Sequence, residues 1–209
     1  MRKSITAFLT ALVLGIVCTA GPALAATGKQ PATALVESTA NEVLSRLRAD
    51  PGATTDNPRR LFEIAEEVVL PHFDFARMSQ RVLGKHWRTA SADQRARFIA
   101  EFKTLLVRTY ATAVSDYRDS NITFMPAREL ATNTFRVRSS VNRGDGAPPL
   151  LVDYDVYQKT DAWKIFDVAI NGVSIVISYR AGFNTDITKL GMDGLIEQIA
   201  QHNLQKSGG

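Results

Sequence analysis

Apolar residues recur at two different periods along this chain, and the change between them divides it. In the first half the period is helical. Leu35, Val36, Thr39, Val43, Leu44 and Leu47 share one face and predict a helix over Thr33 to Leu47. Asp50-Pro51-Gly52 breaks it, and the polar stretch to Asn57 reads as a loop. Pro58 suits the first turn of a second helix carrying Leu61, Ile64, Val68 and Val69, which Pro71 stops. A short helical piece follows from Asp74 to about Leu83, ending near Gly84. Ser91-Ala92-Asp93-Gln94 reads as a capping box, in which the serine caps the third amide and the glutamine reaches back. The helix it opens is the longest expected, with Phe98, Phe102, Leu105, Leu106, Tyr110, Ala113, Val114 and Tyr117 as its stripe. Arg95, Arg97, Lys103 and Arg108 lie mostly off that stripe, on a solvated face.

After Asn121 the period falls to two. Ile122 and Phe124 alternate with Thr123, and Phe135, Val137 and Val141 with Arg136, Arg138 and Ser140. Leu150, Val152, Tyr154 and Val156 alternate with Asp153 and Asp155, and Phe166, Val168 and Ile170 with Asp167 and Ala169. These are half-buried antiparallel strands, each with one wet face. Centring the first hairpin on Arg143 to Pro148 sets Arg138 opposite Asp153 and Arg136 opposite Asp155. The second hairpin is expected to use a three-residue turn, Thr160-Asp161-Ala162, so that Val156 faces Phe166 and Tyr154 faces Val168. Gly172 ends the last strand, and Ser174 can cap a helix with Ile175, Tyr179, Phe183 and Ile187 on one side. Gly191 stops that helix and Asp193 caps a final one through Leu195, Ile196 and Ile199.

Helices first and antiparallel strands later make an α+β domain with helices packed on one face of a curved antiparallel sheet. Whether the space between the layers is filled by ordinary core or left as a pocket stays open at this level. The N-terminus adds a compartment. Arg2 and Lys3 precede an uncharged run from Ala7 to Ala20, and Ala23-Leu24-Ala25 supplies small residues for a signal peptidase. Cleavage is placed after Ala25, with Ala26 as the alternative, making residues 1–25 a signal peptide and the product periplasmic. Cys18, the only cysteine, lies inside the removed run; Val17 and Gly15 do not fit a lipidation signal. The mature chain then has no thiol for a disulfide, a nucleophile or a metal. Of 209 residues 184 remain, enough for one domain over residues 26–205, with residues 206–209 as a mobile tail. Loss of Arg2 and Lys3 takes the 25 basic residues to 23 against 21 acidic ones, and the charge from +4 to +2. With no basic run, nucleic acid is excluded as the main partner.

Two blocks carry a resemblance. Leu83-Gly84-Lys85-His86-Trp87-Arg88-Thr89-Ala90-Ser91 continues through Gln94-Arg95, Phe98, Phe102, Leu105-Leu106 and Tyr110. Trp163-Lys164-Ile165-Phe166-Asp167-Val168-Ala169-Ile170-Asn171-Gly172-Val173-Ser174 continues through Tyr179-Arg180, Phe183 and Gly191-Met192-Asp193-Gly194-Leu195. In type and order these resemble the MlaC family of periplasmic phospholipid-binding proteins, the toluene-tolerance family. The resemblance implies an NTF2-like cone with a hydrophobic pocket for acyl chains and the headgroup near solvent. It implies a monomeric carrier shuttling phospholipid between an outer-membrane lipoprotein–porin complex and an inner-membrane ABC transporter bearing an MCE-domain protein. The cargo it implies is phospholipid, and no cofactor or metal is expected. On this reading the expected lining is Phe102, Leu106, Tyr110, Phe135, Val137, Val152, Tyr154, Phe166, Val168 and Val173.

Two other classes compete. A lipid-free adaptor bridging membrane complexes fits the surface arginines equally well. An isomerase or dehydratase of the same cone shape needs an acid or histidine base beside a tyrosine in the pocket. Asp153, Asp155 and Asp167 fall on the other strand face, and His72, His86 and His202 are dispersed. No H-E-x-x-H spacing suggests metal, and Gly172-Val173-Ser174 is not followed by the glycine of a nucleophile elbow. Catalysis is therefore not expected. For the mouth, the sequence offers two readings of Gly172: a hinge that lets the helices from Ser91 and Ser174 part, or a tight strand-to-helix turn.

Overall fold

The computed structural model describes residues 29–160 and 162–205; the expected signal peptide, its expected cleavage site and the expected tail fall outside them. Among the described residues there are six α-helices and six strands, and helices precede the sheet as expected. The helices are α1 Lys29–Ala49, α2 Pro58–Ile64, α3 Phe75–Leu83, α4 Lys85–Thr89, α5 Ala92–Val114 and α6 Ile175–Gln205. The strands are β1 Asn121–Phe124, β2 Arg128–Ala131, β3 Thr134–Asn142, β4 Leu150–Lys159, β5 Ala162–Ile170 and β6 Val173–Ser174. α2 runs on into a π-helical turn, Ala65–Val69, and a 3₁₀ turn, Leu70–His72.

Local chemistry sets the boundaries. Ser91 Oγ accepts from the Gln94 amide at 3.1 Å while Gln94 Oε1 accepts from the Ser91 amide at 3.0 Å, the predicted box. Asp74 caps α3 by accepting from the Arg77 amide at 2.9 Å, and Gly84 ends it at φ 54°. Ser174 Oγ accepts from the Ile177 amide at 3.1 Å at the start of α6. At Gly191 α6 breaks, with φ 74° and ψ 176°, and Asp193 beyond the break accepts from Gln94 Nε2 at 2.8 Å and from Arg97. Three elements carried no periodic signal: α4, the two-residue β6, and β2, whose four residues are all exposed along one edge.

All strand pairings in the sheet are antiparallel. β1 and β2 pair with the two ends of β3, and the order continues β3-β4-β5-β6. The first hairpin has the predicted register, and its charges form bidentate pairs. Arg136 meets Asp155 at 2.6 and 2.9 Å; Arg138 meets Asp153 at 2.6 and 2.7 Å. That face is drier than an ordinary wet face, because Asp153, Asp155 and Asp167 are buried beneath their partners. The second hairpin corrects the expectation. Lys159 pairs with Ala162, so the turn has two residues, with Thr160 at φ 52°. Tyr154 does face Val168, but Val156 faces Ile165, and a β-bulge between them absorbs the extra residue. The bulge turns Phe166 out of the inner face.

Buried apolar residues gather in three clusters. One joins α3, α5 and α6 around Phe98, Phe102 and Phe183 and takes in Phe166. A second lies between α1 and the sheet around Val36, Phe135, Val137, Val156 and Ile165. The third joins α1, α2 and α5 around Leu47, Leu61, Ile64 and Ala111.

Candidate functional site

The space that these clusters surround is a cavity of about 590 Å³. α1 contributes Val36, Thr39, Ala40, Val43, Leu44 and Leu47 to its wall, and α2 with the π-turn contributes Leu61, Ile64, Ala65 and Val69. α5 adds Leu106, Val107, Tyr110, Ala111 and Val114; the sheet adds Ile122, Val141, Val152, Tyr154, Ile165, Val168 and Ile170. No lining residue carries a charge. Hydroxyls come from Thr39, Thr109, Tyr110, Tyr117 and Tyr154, and burial pushes the Tyr110 and Tyr154 phenols above their ordinary value, so both stay neutral at physiological pH. Ala113 and Val114 are lining residues that are also exposed to solvent; they mark where the cavity reaches the surface, beside Tyr117 and Leu150.

Five of the ten residues expected in the lining are there: Leu106, Tyr110, Val152, Tyr154 and Val168. The other five are not, each for a local reason. Phe102 is fully buried in the α5–α6 seam, stacked on Phe98 and edge-on to Tyr179 and Phe183. Phe135 and Val137 face inward but are covered by the first turns of α1, in the cluster with Ala32 and Val36. Phe166 is displaced by the bulge and meets Tyr157 edge-on at 5.6 Å. Val173, in β6, is 63% exposed.

The sequence reading did not assign the α1 and α2 walls or Phe73, Phe75 and Met78, which also line the cavity. Their stripes were visible as helical periodicity; periodicity says that a face is covered, without saying by what. The mouth between α5 and α6 is corrected too. Ile175 alone of α6 reaches the cavity, while Tyr179, Phe183 and Ile187 pack into the helical cluster. Asn171 at φ 47° and Gly172 at φ 83° form a two-residue turn that pairs Ile170 with Val173, which is the tight-turn reading.

The acids a base mechanism would need lie outside the lining. Asp153 is held by Arg138, whose hydrogen bonds keep its carboxyl below the ordinary range. Asp167 accepts from Ser174 Oγ at 2.6 Å and from the Val176 amide at 3.3 Å; burial raises its carboxyl above the ordinary range. Among the described residues no cluster of histidine, cysteine and acidic side chains has a metal-binding arrangement.

An α+β shell around an uncharged, aliphatic and aromatic cavity that opens at one end defines a container for an apolar ligand. A model of the MlaC protein family matches residues 37–201, and the chain belongs to that family. Over 170 residues it is 26% identical to the "Intermembrane phospholipid transport system binding protein MlaC" of Haemophilus influenzae, covering 80% of this chain and 79% of that one. It is 27% identical over 160 residues to the "Toluene tolerance protein ttg2D" of Pseudomonas putida, covering 76% and 74%. A phospholipid-binding protein from Ralstonia solanacearum, solved in complex with a phospholipid, superposes with a TM-score of 0.77 at 30% identity, covering 84% of this chain and 98% of that one.

Proposed function

We propose that this chain is a periplasmic phospholipid carrier whose cavity encloses acyl chains while the headgroup stays at the surface. The observation that carries the reading is the cavity of about 590 Å³ without a charged lining residue. A methylene takes about the space of a liquid water molecule, about 30 Å³, so a sixteen-carbon chain needs about 480 Å³. Exposing such a chain to water costs about 12 kcal/mol, at about 0.8 kcal/mol per methylene, so a carrier must enclose it. An aliphatic and aromatic wall resembles the interior of a bilayer, which lets lipid leave as well as enter. Leu106, Tyr110, Val152, Tyr154 and Val168 are the proposed chain contacts, joined by the walls of α1 and α2.

On this reading residues 1–25 direct export and are removed, and residues 26–205 work as one monomeric domain with no catalytic role. The "intermembrane" system in the name of the Haemophilus influenzae relative supports two docking partners. These are an outer-membrane lipoprotein–porin complex and an inner-membrane ABC transporter with an MCE-domain protein. A lipid-free adaptor would have no use for the cavity. Organic extraction of the purified protein followed by mass spectrometry is expected to return phospholipid in stoichiometric amount. Protein purified from a lipid-replete periplasm that yields none would overturn the carrier.

A further inference from the structure

The charge that is nearly balanced over the whole chain is not balanced locally. From Phe75 to Ala92 there is no aspartate or glutamate, while Arg77, Arg81, Lys85 and Arg88 all fall there, on α3 and α4. α3 has two sides. Phe75 and Met78 line the cavity, whereas Arg77, Gln80 and Arg81 line a separate surface cleft of about 490 Å³ shared with Trp87 and Lys159. The Arg77 guanidinium lies 3.8 Å from the Tyr157 ring centre and 4.3 Å from that of Phe166; Arg81 lies 5.1 Å from Phe166.

Two cations one turn apart over the same ring repel each other. Neither makes an ion pair among the described residues; the carboxylate in the cleft, Asp74, is taken by Tyr157 Oη, by Lys159 Nζ at 2.9 Å and by the Arg77 amide. Further cations extend the face. Arg180 from α6 lies across Gly84, so close that a Cβ there would meet its guanidinium at 2.8 Å. Lys164 stands opposite Tyr157 in the β4–β5 register. The repulsion is held in place by aromatic stacking, and although the buried Asp167 acts on Arg81 through space, no carboxylate among the described residues contacts either guanidinium, so the face stays positive toward solvent.

We propose that this face docks the protein on an anionic phospholipid surface. The cations spread over three helices and two strand ends instead of converging on one point, which suits a plane of phosphodiester headgroups better than a single bound anion. Half-buried Trp87 sits among them, an amphipathic ring of the kind that settles at a bilayer interface. Docking through the outer side of α3 brings the cavity wall formed by its inner side against the bilayer. The inference concerns this face and stands apart from what the cavity carries.

Sedimentation with sucrose-loaded vesicles tests it on the purified chain. Binding is expected to vesicles containing phosphatidylglycerol, to be absent on pure phosphatidylcholine, and to be lost at high salt. At about 1 kcal/mol per cation at such a surface, Arg77→Gln with Arg81→Gln should weaken binding about 30-fold. Lys85→Gln with Arg88→Gln, exposed on α4 and without a stacking role, should do the same if the stacked pair disturbs folding. Arg59→Gln with Arg128→Gln removes equal charge from α2 and β2 and should leave binding unchanged. Failure to sediment with phosphatidylglycerol vesicles, equal binding to both vesicle types, or an equal loss in that control pair overturns the proposal. Phospholipid extracted from the same proteins reports on the cavity separately.

Discussion

Val152 and Val173 are both valines at strand positions of the second half, and the structure separates them completely. Val152 is buried at 8% exposure in the cavity wall; Val173 is 63% exposed. A carboxylate at position 152 must either stay charged at a cost of several kcal/mol or draw water into the cavity. Val152→Glu is therefore expected to abolish co-purified phospholipid in protein that still folds by circular dichroism, and Val173→Glu to leave it intact. Stoichiometric lipid in folded Val152→Glu protein would show that the chains lie elsewhere. The buried acids behave differently from such an intruder. Asp153 and Asp155 sit under bidentate arginines, so their charge is matched before solvent is excluded.

Elements here are positioned by their ends. α5 is the longest uninterrupted helix, it lines the cavity with Leu106 and Tyr110, and its first turn is held by the reciprocal Ser91–Gln94 bonds. Ser91→Ala removes one bond of that box and should lower stability by about 1 kcal/mol in urea unfolding, with lipid content unchanged. A change below a few tenths of a kcal/mol would mean that packing against α3 and α6 holds α5 without its cap. The β-bulge in β5 is the other positioning device. It points Ile165 at the cavity and frees its carbonyl to accept from the Asp74 amide at 2.9 Å, which ties the start of α3 to the sheet edge. One inserted residue thus sets both a wall of the cavity and the helix that separates it from the basic cleft.

At the scale of the whole molecule, three clusters around an open space are a weaker arrangement than one continuous core, because lining atoms lack partners on one side. A bound chain supplies those partners and binds the folded state alone, so it stabilises by mass action. Delipidated protein should melt at a lower temperature than loaded protein, and added phospholipid should restore the difference in a concentration-dependent way, measured by scanning calorimetry. Identical melting temperatures in loaded and delipidated protein would count against the cavity as the lipid site.

What the sequence determined by itself was local. The 3.6 and 2.0 periods placed the helices and strands, Ser91 to Gln94 spelled a cap that needs only neighbouring residues, and opposite charges set the register of the β3–β4 hairpin. Residues 83–110 and 163–195 carried enough of the family's order to imply the pocket. What only the tertiary structure decided was which covered face meets a neighbour and which meets empty space. Phe102, Phe135 and Val137 have the same periodicity as Leu106, Tyr110 and Val152, yet helices cover the first three and the cavity touches the others. The two-residue turn with its bulge was hidden because both ways of joining β4 to β5 bury apolar side chains, and only packing of Phe166 against Tyr157 and α3 chooses between them. Periodicity is a property of one element, whereas a cavity is a failure of several elements to meet, and no single stretch of chain contains it.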